Sequence, residues 1–202
     1  MLELAILGLL KERPMHGYEL KKRRSYMLGH FWTVSYGSLY PALKRLEKSD
    51  AIERAYSVKE KTRNRNVYRI TPRGDRRFLG MLGDTLSDTL ADGEKFDLRM
   101  VFFQYLEPEV RLNLLERRRK HLEEQITKFK AYRRTSRDQD RYSTGLMRHR
   151  VEQARSDIRW LDRLIQYERE VLAKREVGSR KSKVEKSNLE IEGPDVQAAS
   201  GA

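Results

Sequence analysis

The 202-residue chain contains no cysteine. A disulfide framework, a thiolate nucleophile and cysteine metal ligands are therefore excluded, and nothing calls for an oxidising compartment. Histidine occurs only at His16, His30, His121 and His149, spacings that match no metal-ligand pattern. No run of about 18 apolar residues exists, so no membrane span is predicted. The apolar start, MLELAILGLLKERP, lacks a basic n-region and a small-residue cleavage site, and reads as a core helix rather than a signal peptide. There is no P-loop and no G-x-G-x-x-G motif. Acidic residues are plentiful but sit among Lys and Arg on helical surfaces, where ion pairing accounts for them. The expectation is a cytoplasmic protein that is not an enzyme and uses neither cofactor nor metal.

What the chain has in excess is positive charge. It carries 43 Lys+Arg against 30 Asp+Glu, net +13, which favours polyanionic partners. Residues 1–92 hold 18 basic and 11 acidic side chains (+7), residues 93–177 hold 21 and 15 (+6), and residues 178–202 hold 4 and 4. The charge is thus spread over the body of the chain and is not a basic tail. In the second half the signs interleave, which reads as a salt-bridged helical surface before it reads as a second nucleic-acid face.

Residues 35–48, SYGSLYPALKRLEK, form the most informative segment. Leu39, Ala42, Leu43 and Leu46 recur at the 3–4 spacing of a buried stripe, with Gly37, Tyr40, Pro41, Lys44 and Lys48 opposite. Ser35 is a good N-cap and Ser38 falls in the first turn. Such a helix can dock one side on a core and push the other into a DNA groove. The pattern predicts a β-hairpin next: Ile52–Tyr56, the basic run KEKTRNR at 59–65, then Val67–Ile70. Helix plus basic hairpin is the outline of a winged helix-turn-helix.

The fold expectation is mainly α: an N-terminal winged helix-turn-helix of three helices and a β-hairpin wing, then a C-terminal antiparallel helical dimerisation domain. Helices are expected over 2–10 and 15–29, the latter carrying KKRR at 21–24. Thr71-Pro72 opens another, with Phe78, Leu79, Leu82, Leu86 and Leu90, ending near Asp92-Gly93. Glu107-Pro108 opens a long helix to about residue 134. A second covers roughly 145–176, where Met147, Val151, Ala154, Ile158, Leu161, Ile165 and Leu172 keep 4,3 spacing and Glu168 is the polar interruption. Its apolar surface exceeds what one partner helix could cover, so a hairpin that dimerises through these residues is inferred. The domain division is 1–92, 93–177, and 178–202 as a disordered tail.

The segments LAILGLLKERPMHGYEL at 4–20, FWTVSYGSLYPALKRLEKSDAIER at 31–54 and YRITPRG at 68–74 resemble the DNA-binding domain of PadR-family transcriptional regulators. HGYEL and SLYPALKRLE are the specific motifs, and the likeness spans about residues 1–80. The paired helices of 107–176 are similar, in layout and length, to the dimerisation domain of the family's longer subfamily. The resemblance implies a bacterial cytoplasmic homodimer, usually a repressor, released from its operator by a small aromatic ligand. It also implies that Tyr40 faces DNA. Where the family pattern has Pro after the serine that opens the recognition helix, this chain has Tyr36.

On that reading the DNA-binding candidates are Ser35, Tyr36, Ser38, Tyr40 and Lys44 on the helix, with Lys59, Lys61, Arg63 and Arg65 on the wing. A packed Tyr40 and a merely solvated wing are the competing readings. Tyr18, Trp32, Phe102, Phe103 and Trp160 lie near the junction of the two halves, with core packing the commoner role. The expected partners are double-stranded DNA bearing an inverted repeat, a second copy of the chain, and a small-molecule effector of unidentified chemistry. The alternatives are a basic protein–protein module using the winged fold as a scaffold, and a repressor with no effector.

Overall fold

The computed structural model describes residues 1–27, 36–60, 63–85, 91–135 and 140–191. Ser35 and Lys61 of the expected DNA contacts, Trp32, and Leu86 and Leu90 lie outside that range. Among the described residues, no helix is long and apolar enough to cross a membrane.

Helix α1 (Leu2–Glu12) is apolar on all sides and buried from Leu4 to Leu10, so the first domain wraps around it. Gly8 makes this possible on one side, because a Cβ there would lie 2.5 Å from the Phe102 ring. Pro14 follows, and Met15–His16 form a short strand, β1, that the sequence pattern did not reveal. Helix α2 spans Gly17–Met27 and α3 spans Tyr36–Lys48. At the end of α3, Asp50 sits in the left-handed region (φ 52) and the Ala51 amide donates to the Leu46 carbonyl at 2.9 Å, a Schellman-type ending.

Strands β2 (Ile52–Glu60) and β3 (Arg63–Ile70) form the wing, longer than expected, and the sheet order is β1-β3-β2, all antiparallel. Strand β1 covers β3 only at Val67 and Tyr68. Beyond that point β2 and β3 run on as a two-stranded ribbon, and a bulge between Arg54 and Tyr56 bends its base. Helix α4 (Pro72–Gly83) starts where Thr71-Pro72 predicts, with the Thr71 hydroxyl accepting from the Gly74 amide at 3.0 Å. The same hydroxyl donates to the Asp50 carbonyl at 2.6 Å. A Cβ on Gly74 would lie 1.9 Å from the Ala51 carbonyl oxygen, so only glycine lets α4 sit on the α3–β2 turn.

Helix α4 stops at Gly83, short of the expected Asp92-Gly93. The physical reason is Arg99, 1% exposed, whose guanidinium donates to the carbonyls of Met81 and Asp84. It satisfies carbonyls that helix continuation would have satisfied. Arg99 lies on α5 (Gly93–Met100), which Asp92 caps by accepting from the Lys95 amide at 3.2 Å. This helix and the 3-10 turn Phe103–Tyr105 after it join two cores. Leu98 and Phe102 pack into the first, while Phe96 and Phe103 pack into the second.

The second core is a hairpin of α6 (Pro108–Thr135) and α7 (Arg141–Ile191). Cross-pairs Arg175–Glu107 (2.9 Å), Arg111–Glu168 (2.9 Å), Arg169–Glu116 (2.7 Å) and Arg119–Asp162 (2.6 Å) run in opposite directions along the two helices, which are therefore antiparallel. Two expectations change here. Ala154, Leu161 and Ile165, expected to face a second chain, are buried against α6 of their own chain. Apolar periodicity marks a face to be covered and does not say which molecule covers it. Helix α7 also runs on to Ile191, so residues 178–191 of the expected disordered tail are helical. Half of them are Arg, Lys, Glu or Leu, good helix formers, and extending an existing helix needs no new nucleation.

Candidate nucleic-acid interface

Helix α3 buries Leu39, Ala42, Leu43 and Leu46 and exposes Gly37, Ser38, Tyr40, Pro41, Lys44, Arg45 and Lys48. That is the two-faced helix expected from the spacing. Tyr36 is its first residue. Tyr40 combines both readings considered for it. It is 47% exposed, yet one ring edge lies 3.3 Å from where a Gly17 Cβ would be. The ring is thus steadied by α2 and stays half-exposed.

The basic residues of this surface are not equivalent. Arg45 Nε lies 3.4 Å from Glu3 Oε1, and Arg54 Nε lies 2.7 Å from Glu47 Oε1. The Glu47 carboxylate hydrogen-bonds Arg54 and holds its guanidinium above its ordinary value. Arg77 also reaches Glu3, at 2.5 Å. Glu3 is thus a shared anchor for α3 and α4, which sequence separations of 42 and 74 residues concealed. Lys44 and Lys48, by contrast, are exposed and make no ion pair among the described residues.

The HGYEL motif is a reciprocal cap. The His16 amide donates to Glu19 Oε2 at 3.2 Å, and the Glu19 amide donates to His16 Nδ1 at 3.2 Å. Burial pushes the Glu19 carboxyl up, but the His16 amide and Arg13 outweigh it, and the group lies below the ordinary carboxylate range. Tyr18 stacks on His16 at 6.3 Å and is 51% exposed, so it belongs to this cap and not to the junction of the halves. In Lys21–Arg24, Arg23 pairs with Glu12 at 2.5 Å.

Lys59, Arg63 and Arg65 lie on the two strands of the wing. Its register sets Val58 opposite Arg65, Lys59 opposite Asn64 and Glu60 opposite Arg63. Of the other aromatics named from sequence, Phe102 and Phe103 are core residues at 1% and 8% exposure.

A family model described as "Transcriptional regulator PadR-like family" matches residues 6–79, and one described as "Virulence activator alpha C-term" matches residues 94–167. A transcriptional regulator from Clostridium thermocellum is 36% identical over 38% of this chain and 73% of that one, with a TM-score of 0.35. The chain belongs to the PadR-like family. The negative transcriptional regulator PadR of Bacillus subtilis is 30% identical over 74 residues, 37% of this chain and 41% of that protein. A probable transcriptional regulator of Mycobacterium tuberculosis is 28% identical over 85 residues, 42% and 45% of the two chains. These alignments span under half the length of either relative. The crystal structure of Bacillus subtilis PadR in complex with operator DNA is 20% identical, covers 83% of this chain and 98% of that one, and has a TM-score of 0.40. The relatives of this PadR-family chain are regulators, not enzymes.

Proposed function

We propose that the protein is a homodimeric, sequence-specific DNA-binding transcriptional regulator, a repressor released by a small effector. The observation that carries this reading is the exposed face of α3, where Ser38, a half-exposed Tyr40 and Lys44 stand opposite a fully buried leucine stripe. In this reading α3 enters the major groove and Tyr40 reads a base or ribose edge. Lys44, Ser35, Ser38 and Tyr36 contact the backbone or the groove edge. The ribbon carries Lys59, Lys61, Arg63 and Arg65 to phosphates or the minor groove. In this reading the chain divides at 1–92 and 93–177, with Leu98 and Phe102 of the second part packed into the core of the first.

The dimer is proposed to form through α7. Met147, Val151, Ile158 and Leu172 are only half-buried within the chain, and Leu146 and Tyr167 are 57% and 61% exposed. A second copy of the chain would cover what α6 leaves open.

Selection of bound duplexes from a random pool tests the proposal. The expected product is an inverted repeat whose half-site centres lie about one helical turn, or a multiple of it, apart. Recovery of no consensus would favour the protein–protein module instead.

A further inference from the structure

Gly17 is the first residue of α2, and its own backbone does not ask for glycine, since its φ lies outside the left-handed region. Glycine is a poor helix former, because it gives up more chain freedom on folding than any other residue. The reason for it lies on α3. The three heavy atoms nearest to a would-be Gly17 Cβ all belong to the Tyr40 ring: Cε1 at 3.3 Å, the hydroxyl oxygen at 3.4 Å and Cζ at 3.5 Å. A methyl group there would meet the end of the ring that carries the hydroxyl, and the ring would have to give by a few tenths of an ångström.

The backbone that the ring meets is fixed on both sides. Before Gly17, β1 pairs with β3 at Tyr68 and Val67, at the base of the wing. After it, the His16–Glu19 reciprocal cap closes the first turn of α2, and Arg13 holds Glu19 at 3.2 Å. Helix α3 is fixed in turn by Leu39 and Leu43, buried at 3% and 1% exposure on its other face. A ring pressed from this seat is therefore displaced toward its open side, where Tyr40 is 47% exposed.

We propose that Gly17 is a specificity-determining positioning residue. Its missing side chain sets where the Tyr40 hydroxyl stands relative to α3 and the wing, and through it which DNA site is preferred. The inference rests on the proposed reading of DNA by α3. It goes beyond that reading in making sequence preference depend on a residue of α2 that need not touch DNA. A small displacement is enough, because a hydrogen bond weakens as its donor and acceptor move out of line and apart. Phosphate contacts made by other residues carry no sequence information and are left as they were.

The test is a double-mutant cycle on the full chain with Gly17→Ala and Tyr40→Ala. It is read as the ratio of affinities for the selected and a random duplex. Gly17→Ala should lower that ratio by about threefold or more, part of the loss from Tyr40→Ala, while affinity for the random duplex and the circular dichroism stay unchanged. In the Tyr40→Ala background the same substitution should change the ratio by less than about twofold. A second readout needs no DNA. In NMR spectra of protein carrying 13C-labelled tyrosine rings, the Tyr40 signal is identified by its loss in Tyr40→Ala. In Gly17→Ala it should move further than the signals of the other tyrosines. Should the alanine variant not fold, Gly17→Ser, which adds the same Cβ, must give these results. An unmoved Tyr40 signal, an unchanged ratio in a folded variant, or an equal loss in both backgrounds overturns the proposal. If Tyr40→Ala alone leaves the ratio unchanged, the reading of DNA by α3 falls instead, and the ring signal still decides whether Gly17 seats Tyr40.

Discussion

Arg111 Nη2 donates to Glu168 Oε2 at 2.9 Å across the α6–α7 hairpin, with the Glu168 residue 7% exposed. The pair explains the polar interruption in the α7 stripe: Glu168 sits at a buried position because Arg111 reaches it. Glu168→Ala should destabilise the protein by about 1–3 kcal/mol, since it leaves the part-buried Arg111 guanidinium with the Leu106 carbonyl and no carboxylate. Arg111→Met combined with Glu168→Leu should recover most of that loss. Chemical denaturation of the two variants checks both statements.

Gly74 and Gly80 lie on the same helix and should respond oppositely. Gly74→Ala forces a methyl into the Ala51 carbonyl and should cost about 1–3 kcal/mol. Gly80 has no neighbour within 4 Å of a would-be Cβ, so Gly80→Ala should stabilise by about 0.5–1 kcal/mol. Thermal melting separates the two signs.

The first domain was more legible than the second, for physical reasons. The α3 stripe and the Thr71-Pro72 start are local signals, each confined to a few residues. Strand β1 is only Met15–His16 and exists because β3 lies beside it, so no periodicity could announce it. The end of α4 is set by Arg99, a residue outside that helix. The stripe marks Ala154, Leu161 and Ile165 as a face to be covered, and α6, earlier in the chain, packs against it. Tyr40 was legible as exposed, but its contact with Gly17 is tertiary. Ser35 and Lys61 lie outside the described residues, and the side chains of Tyr36, Lys59, Arg63 and Arg65 remain candidates from sequence alone.

The His16–Glu19 cap should show in acid. The folded-state Glu19 carboxyl lies below its ordinary value. Its contribution is therefore present above the unfolded pKa and is lost as pH falls through the folded one. The thermal midpoint of the unaltered protein minus that of Glu19→Gln should shrink as pH drops below the ordinary carboxylate range. A difference that holds constant down to the acid transition would contradict the cap's charged form.

The most direct test of the central claim, that the exposed face of α3 reads DNA, compares Tyr40→Ala with Lys44→Ala. Binding is measured on the selected duplex and on a random one at several salt concentrations. The account predicts that Tyr40→Ala loses on the order of 1–3 kcal/mol on the selected site and little on the random one. Lys44→Ala should weaken both alike and flatten the log–log salt slope by roughly one unit. If both variants stay folded and the ratio of selected to random affinity is unchanged in Tyr40→Ala, α3 does not read the sequence and the account is wrong.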